Sequence, residues 1–257
     1  MTLDVESLFG VRGKVALVTG GSSGVGQMIA TAFAANGVKV YITGRKQDRL
    51  DAATAEIGAL GECHAIACDL SAMSEIERLA GALAERESGL NILVNNAGAS
   101  WTHPIDSYPE TGWDRVMTLN TKTPFFLTQK LLPLLSAAAN DEDPARVINL
   151  SSAATIAAGA ASAAYPASKA AVEQLTRTMA RGFGERRITA NAISPGWFPS
   201  RMNAPLGDDQ RKDWVERTPL GRLGAVEDMG GLAIFLCSRA GAFINGRTIV
   251  TDGGYSA

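Results

Sequence analysis

Cysteine, charge of one sign and long apolar runs are all scarce in this sequence of 257 residues. Its 24 lysines and arginines nearly balance 26 aspartates and glutamates, so the net charge of -2 does not indicate a nucleic acid or an anionic membrane as partner. Only three cysteines occur, at Cys63, Cys68 and Cys237. Three cannot all pair internally, and Cys63 and Cys68 would face opposite sides of a strand, so we expect no disulfide framework and no metal site.

The sequence also lacks a candidate membrane span. The longest weakly polar stretch, residues 153–164, consists of small residues interrupted by Thr, Gly and Ser, and it is too short to cross a bilayer. Residues 1–13 have neither the basic start nor the apolar run of a secretion signal. We therefore expect a cytoplasmic protein and, because one α/β domain commonly reaches this length, a single domain over residues 1–257.

Glycine is more abundant than average. The chain has 27 glycines, where an average frequency of about 7% would give roughly 18. The excess is compatible with flexible linkers or with a backbone that must turn tightly and approach a ligand.

Short runs rich in Val and Ile alternate with longer helical patterns, which predicts an α/β protein. The runs are almost continuously apolar, as is typical of parallel strands buried on both faces. The seven predicted strands are Lys14–Thr19, Val38–Thr43, Cys63–Ala67, Leu90–Asn95, Arg146–Leu150, Thr189–Ile193 and Thr248–Val250.

Apolar period and capping residues predict five helices. A bend or break is expected at Pro124, Pro133 or both, and Ser71 is expected to open its helix through an imperfect capping box. Residues 194–222 carry four prolines and form a long connection, which is typical of a lid or substrate loop. The predicted helices are Gly24–Asn36, Ser71–Glu87, Trp113–Ala139, Ser162–Phe183 and Ala225–Ser238.

A glycine-rich loop connects the first strand to the first of these helices. Its glycines allow a sharp turn and close approach to a pyrophosphate, whose charge would sit at the positive end of the helix. A tight turn without a ligand is the alternative. The loop residues are Gly20, Gly21, Ser22, Ser23, Gly24, Val25 and Gly26.

The end of the second strand favours NADPH over NADH. Gly44 offers no side chain where an NAD site would offer a carboxylate, and Arg45 and Lys46 can pair with a 2′-phosphate. A solvated helix start is the alternative for this cation pair. Asp69, after the third strand, could accept the adenine amino group or cap the helix beside Ser71.

Four polar residues form a candidate catalytic set. Tyr165 and Lys169 stand four apart in a predicted helix, so both lie on one face. An adjacent ammonium would lower the tyrosine pKa towards neutrality and make the phenol a general acid. Ser152 could hydrogen-bond the same carbonyl oxygen, and Asn120 lies in the preceding helix. Each residue alone has an ordinary structural explanation, and their combination favours catalysis.

These features together resemble the short-chain dehydrogenase/reductase family over residues 14–254. The resemblance implies a Rossmann-like doubly wound sheet of order 3-2-1-4-5-6-7, a homotetramer or homodimer, and NAD(P)-linked chemistry on alcohols and carbonyls. The matching motifs are Thr19-Gly20-x-x-x-Gly24-x-Gly26, Asn95-Asn96-Ala97-Gly98, Asn120, Ser152, Tyr165-x-x-x-Lys169, Pro195-Gly196 and Asp252-Gly253-Gly254.

The family's residue roles can be transferred to these positions. Tyr165 would be the acid/base, Ser152 would polarise the substrate oxygen, Lys169 would hold the nicotinamide ribose and lower the Tyr165 pKa, and Asn120 would keep a water in a proton relay. Ser23 departs from the Lys or Arg of many NADPH-dependent members, and Ser200 stands where Thr is usual. Beside the glycine loop and the two cations, the implied cofactor contacts are Asp69, Leu70, Asn95, Asn96, Ala97, Gly98, Tyr165, Lys169, Pro195, Gly196, Phe198 and Ser200.

The sequence is similar to the 3-oxoacyl reductase branch of that family, which implies a 3-oxoacyl thioester or related ketone as substrate. Trp101, Trp197 and Trp214 could line an aromatic-walled pocket together with Ser152, or could serve lid packing or subunit contact. The same catalytic set would also suit a secondary-alcohol, sugar or steroid dehydrogenase. A non-catalytic NADPH-binding sensor or scaffold is a remote alternative.

Overall fold

A seven-stranded sheet forms the centre of the molecule. The computed structural model describes residues 3–156, 162–199 and 207–257. Its strands are β1 (Val15–Thr19), β2 (Lys39–Gly44), β3 (Cys63–Ala67), β4 (Ile92–Asn95), β5 (Ala145–Leu150), β6 (Ile188–Pro195) and β7 (Thr248–Thr251). Every neighbouring pair is parallel, in the order β3-β2-β1-β4-β5-β6-β7, which confirms the predicted single Rossmann-like α/β domain.

Helices pack on both faces of this sheet. They are α1 (Val5–Phe9), α2 (Gly24–Ala35), α3 (Gln47–Gly58), α4 (Met73–Ala84), α5 (Glu110–Met117), α6 (Thr123–Ala138), α7 (Ala164–Phe183), α8 (Asp208–Glu216) and α9 (Val226–Cys237). None of the helices in the described ranges is long and apolar enough to cross a membrane.

Two apolar clusters, one on each face of the sheet, explain the continuous apolar strands. One contains Phe33 of α2 and Met229 of α9, and the other contains Leu79 of α4 and Leu127 of α6, all four fully buried. The prediction of seven buried strands is correct for the central ones and wrong for the edges. Because β3 and β7 have a neighbour on one side only, several of their residues are partly exposed.

The predicted cap at Ser71 is wrong, and the predicted break is found next to Pro124 but not at Pro133. Ser71 does not cap a helix: its hydroxyl and amide both donate to Asp69 Oδ1, and α4 begins only at Met73. The long helix near Pro124 is interrupted by a π-helical turn at Thr118–Lys122, and α6 continues through Pro133. Pro124 lies in the first turn of α6, where its missing N–H costs no hydrogen bond.

Helices α3 and α8 were not predicted individually. Helix α3 buries only Leu50, Ala53 and Ile57, so its apolar stripe is weak. Helix α8 lies inside the long connection 194–222 and is strongly polar apart from Trp214 and Val215. Periodicity is a poor signal in such helices because tertiary contacts supply most of their stability.

The strand order reverses between β1 and β4, and this reversal determines where a ligand can bind. In open parallel sheets ligands bind in the crevice beyond the carboxyl ends of the strands at such a point. The loops that follow β1 and β4 contain Gly20 and Asn96, and a Cβ added to Gly20 would lie 2.9 Å from Asn96 Nδ2. The predicted cofactor loops therefore meet at the expected position.

Candidate active site

The loop between β1 and α2 has a backbone that only glycine fits. Gly20 and Gly24 have φ of +66° and +57°, in the left-handed region. A Cβ on Gly26 would lie 2.3 Å from Asn96 Nδ2 and 2.6 Å from the Gly20 carbonyl oxygen. The missing side chains are what allow the two loops to approach this closely.

The first turn of α2 suits an anion. Ser23 precedes the helix and makes no capping hydrogen bond through its side chain, so the first amides of α2 keep unused donors at the positive end of the helix dipole. Val25 packs against the apolar cluster below. Ser22 lies beside Gly44, where an added Cβ would be 3.1 Å from Ser22 Oγ. Pyrophosphate chemistry fits this donor set.

Asn96 and Thr19 hold the glycine loop in place. Asn96 Nδ2 donates to the carbonyls of Thr19 and Gly20 at 2.8 and 3.3 Å, and Thr19 Oγ1 accepts from the amides of Asn96 and Ala97 at 2.9 and 3.0 Å. The side chain of Asn95 points into the core, where its Nδ2 donates to Thr128 and Asn149. The Asn95 side chain therefore links β4 to β5 and α6 beneath the site. It does not lie along the cofactor loops, where the family resemblance placed it.

Arg45 and Lys46 project from the end of β2 as exposed side chains, and neither has an ion pair within the described part of the chain. Asp69 is exposed and its carboxylate accepts two hydrogen bonds from Ser71, as expected of a turn cap. The Leu70 side chain is buried in the core, and its carbonyl accepts from Thr123 Oγ1 at 2.6 Å. The exposed Arg45 and Lys46 side chains have no ion pair among the described residues and are therefore available to an anion.

Tyr165, Lys169 and Ser152 are brought together where α7 crosses the end of β5. Lys169 Nζ lies 5.7 Å from the centroid of the Tyr165 ring and donates to the Leu150 carbonyl at 2.6 Å. The Ser152 side chain lies beside the Tyr165 hydroxyl, close enough to favour a lower pKa of that hydroxyl. Two hydroxyl groups that can donate to one substrate oxygen thus stand side by side.

Burial controls the protonation of this group. It lowers the pKa of Lys169 from 10.5 to about 8. Burial also raises the pKa of Tyr165, and the Ser152 side chain opposes this rise without reversing it. We expected Lys169 to lower the Tyr165 pKa. The pKa is raised instead, because desolvation of the phenol outweighs the other contributions.

Asn120 is fully buried in the π-helical turn. Its Oδ1 accepts from the Ala99 amide at 2.7 Å, and its Nδ2 donates to the Ala99 carbonyl and to Ser168 Oγ, each at 2.9 Å. Ser168 Oγ in turn donates to the Tyr165 carbonyl at 2.7 Å. The amide therefore clamps the loop after β4 to helix α7.

Sequence reasoning missed Glu173, which lies on α7 one turn beyond Lys169. Its carboxylate accepts from Ser151 Oγ at 2.6 Å and from Thr155 Oγ1 at 3.2 Å, on either side of Ser152. The same four-residue spacing that relates Tyr165 to Lys169 would have placed Glu173 on this face.

Two of the three predicted substrate tryptophans are brought together. The rings of Trp197 and Trp214 stack with centroids 3.9 Å apart and planes 11° apart, and Tyr255 packs edge-on against Trp197. Trp214 is only 7% exposed, so its ring packs α8 against Trp197. Trp101, in the loop after β4, packs its ring against Gly112 of α5.

The turn after β6 packs on the chain after β7. Pro195 ends β6, the Gly196 amide donates to the Thr251 carbonyl at 3.0 Å, and a Cβ on Gly196 would lie 2.6 Å from Asp252 Cβ. The Phe198 ring is 4% exposed and belongs to the core, so only its backbone could contact a cofactor. Ser200 lies outside the described residues.

The cysteines are unreactive core residues. Cys63 and Cys68 pack on opposite faces of the sheet, as predicted, and all three are free thiols. Burial raises the pKa of Cys63 and Cys68 to about 11 and that of Cys237 to about 12. Within the described residues there is no group of three His, Cys, Asp or Glu that could hold a metal.

Comparison with known proteins assigns the chain to a family. A family model described as enoyl-(acyl carrier protein) reductase matches residues 20–256. The rhamnolipids biosynthesis 3-oxoacyl-(acyl-carrier-protein) reductase of Pseudomonas aeruginosa is 44% identical over 250 residues, covering 96% of this chain and 98% of the relative. Gluconate 5-dehydrogenase of Gluconobacter oxydans is 34% identical over 251 residues, covering 96% of each chain.

A solved structure agrees with these relatives. The Pseudomonas aeruginosa RhlG/NADP active-site complex has a TM-score of 0.94 and 43% identity, covering 98% of this chain and 99% of that one. The fold and the site define an oxidoreductase that acts on alcohol and carbonyl groups. The chain belongs to the short-chain dehydrogenase/reductase family.

The lowered pKa of Lys169 makes a stability prediction. Between about pH 8 and 10.5 the unfolded chain binds more protons at this lysine than the folded chain, so the unfolding free energy rises with pH. Relative to Lys169→Met, wild type should gain about 3 kcal/mol from pH 7 to 10.5. Urea unfolding at several pH values without added nucleotide measures this difference.

The exposed Lys122 provides the control, because Lys122→Met should leave the pH dependence of unfolding unchanged. A difference between wild type and Lys169→Met that does not vary with pH would contradict burial of a titrating ammonium.

Proposed function

We propose that the protein reduces a ketone to a secondary alcohol with NADPH, and that the ketone is a 3-oxoacyl thioester or a close analogue. The observation that carries this proposal is the proximity of the Ser152 and Tyr165 side chains beside the buried Lys169. Two hydroxyls at one point suit a carbonyl oxygen, which accepts hydrogen bonds through both lone pairs. The similar Pseudomonas aeruginosa protein is named as a 3-oxoacyl reductase, which supports the substrate class.

Each residue has a separate task in this proposal. Tyr165 donates the proton to the forming alkoxide, and Ser152 polarises and orients the carbonyl. Lys169 binds the cofactor ribose and offsets negative charge at Tyr165. Asn120 positions α7 against the loop after β4 through its hydrogen bonds to Ala99 and Ser168. Its expected role in holding a water of a proton relay stays a prediction.

NADPH fits the loops at the strand reversal. A bound nicotinamide cofactor supplies the hydride, while the protein aligns the reactants. The amides of residues 20–26 suit its pyrophosphate, and the exposed Arg45 and Lys46 suit a 2′-phosphate. The similar solved structure is described as an NADP complex, which supports this preference. NADH lacks the phosphate that these cations would bind.

Replacement of the general acid should remove turnover. Tyr165→Phe keeps the ring and its packing but removes the proton, so kcat should fall by about 10³-fold or more, within the range of general acid catalysis. Oxidation of NADPH followed at 340 nm with a 3-oxoacyl thioester measures the effect. Ser152→Ala should cost about 10²-fold, the size of one lost oxyanion donor. Full turnover by Tyr165→Phe would refute the assignment.

A charge reversal at Arg45 should change the cofactor preference. Arg45→Asp should lower kcat/KM for NADPH by about 10-fold or more, because removal of a charge-assisted contact typically costs 1.5–3 kcal/mol and the new carboxylate repels the phosphate. The value for NADH should not fall. Arg49→Asp, an exposed position further along α3, is the matched control and should leave the NADPH value nearly unchanged. An equal loss for both cofactors would contradict a 2′-phosphate contact.

A dehydrogenase of sugars or other secondary alcohols is the second candidate. Gluconate 5-dehydrogenase of Gluconobacter oxydans is 34% identical, so the same fold carries that named activity. Rates with acyl thioesters, plain ketones and sugar acids, measured with both cofactors, separate the two. We propose that the predicted substrate loop, residues 194–222, determines which of these substrates the enzyme accepts.

We also propose a homotetramer or homodimer. Strand β7 is the sheet edge, Val250 on it is 42% exposed, and Phe243 just before it is fully exposed. Unpaired edges and exposed apolar side chains are typical of subunit contacts.

Light scattering should give two or four times the 26.9 kDa chain mass. Val250→Lys should lower this mass and Leu60→Arg, exposed elsewhere, should not; a wild-type monomer would contradict the proposal.

The free thiols of Cys63, Cys68 and Cys237 suit a reducing compartment. We therefore propose a cytoplasmic location, which fractionation of cells that express the protein would test.

A further inference from the structure

Glu173 shares a helix face with the two proposed active-site residues of α7. Tyr165, Lys169 and Glu173 follow one another at four-residue steps, so they stack along one side of the helix. Whereas Tyr165 and Lys169 have assigned tasks, Glu173 has none. Its carboxylate faces the loop that carries Ser152 and accepts from two hydroxyls of that loop.

The two donors flank Ser152. Ser151 Oγ lies 2.6 Å from Glu173 Oε1 and Thr155 Oγ1 lies 3.2 Å from the same oxygen. Thr155 Oγ1 also lies 3.0 Å from the Ser152 carbonyl oxygen, and the Ala154 amide donates to Ser152 Oγ at 3.2 Å. Residues 151–155 are therefore linked to one another, and the Glu173 carboxylate ties them to α7.

The connection has one buried end. Ser151 is only 2% exposed, and its hydroxyl donates to Glu173, which is partly buried. No salt bridge to Glu173 is present in the described part of the chain, so the carboxylate interacts with the loop hydroxyls without a competing ion pair.

We propose that Glu173 is a positioning residue that holds the Ser152 hydroxyl in register with the Tyr165 hydroxyl. Lys169 ties the Leu150 carbonyl to α7, and one helical turn further Glu173 ties the next loop residues to the same helix. Without the second tie, the loop could shift relative to the acid while the cofactor loops stayed in place. The inference rests on the proposed roles of Ser152 and Tyr165.

The kinetic test compares two substitutions of Glu173. Glu173→Ala removes the acceptor, so kcat should fall by about 10-fold to 100-fold, since a displacement of about 1 Å can cost 10²-fold. Its KM for NADPH should stay within about 2-fold of wild type because the cofactor loops are untouched. Glu173→Gln keeps an amide oxygen for the two hydroxyls and should recover most of kcat. Gln174→Ala, the exposed neighbour on α7, is the control.

A double-mutant cycle shows whether Glu173 acts through Ser152. In the Ser152→Ala background, Glu173→Ala should cost almost nothing more, because the hydroxyl that it positions is gone. Independent losses in the cycle would overturn the proposal, and so would a wild-type kcat for Glu173→Ala. If Glu173→Ala does not fold, Ser151→Ala combined with Thr155→Val removes the same bonds from the loop side and should reproduce the loss of kcat.

Failure of this inference is distinguishable from failure of the proposed function. The comparison can use any ketone that wild type reduces, so it does not depend on the acyl thioester. If Ser152→Ala keeps full turnover, the proposed role of Ser152 is wrong. If Ser152→Ala loses turnover and Glu173→Ala does not, only the role of Glu173 is wrong.

Discussion

The attachment of helix α7 to strand β5 is the constraint on which the site depends. Three side chains of α7 reach the end of this strand: Lys169 donates to the Leu150 carbonyl, Glu173 accepts from Ser151, and Thr176 accepts from Asn149. Three residues on one face of the helix thus meet three adjacent residues, 149–151, at the end of the strand. Because Tyr165 lies one turn before Lys169, these bonds also determine where its hydroxyl stands relative to the loop after β5. Hydrogen bonds of this kind are worth most when buried and fully satisfied.

The same region continues into the core as a chain of buried amides and hydroxyls. Asn149 Oδ1 accepts from Asn95 at 2.8 Å, and Asn95 also donates to Thr128 of α6. Strands β4 and β5 and helices α6 and α7 are therefore connected by side chains directly beneath the site. A polar chain in such a core specifies one arrangement of its elements, since a shifted register would leave several buried groups without partners. The positions of Ser152, Tyr165 and Lys169 above this polar chain depend on that arrangement.

Much of this was predictable from local sequence. The strands follow from continuous apolar runs, and the residues just beyond them become site residues because parallel strands end at one edge of the sheet. The four-residue spacing of Tyr165 and Lys169 sufficed to place both on one face. Tertiary contacts determined the rest. The hydrogen bonds of Asn120 to Ala99 and Ser168, and the stacking of Trp197 on Trp214, join residues far apart in sequence.

Burial also explains why protonation could not be deduced from the pattern alone. A lysine four residues from a tyrosine suggests a lowered tyrosine pKa, but that expectation assumes a well-solvated pair. In the structure Lys169 is 5% exposed and its pKa falls to about 8, while the pKa of Tyr165 rises. A shift of that size costs the folded protein about 3 kcal/mol at neutral pH, a large share of a typical unfolding free energy. The chain keeps an ammonium there against this cost, and the charge is most valuable where negative charge forms on a neighbouring phenol in a site of low dielectric constant. The destabilised lysine therefore adds to the geometric argument that α7 carries chemistry as well as structure.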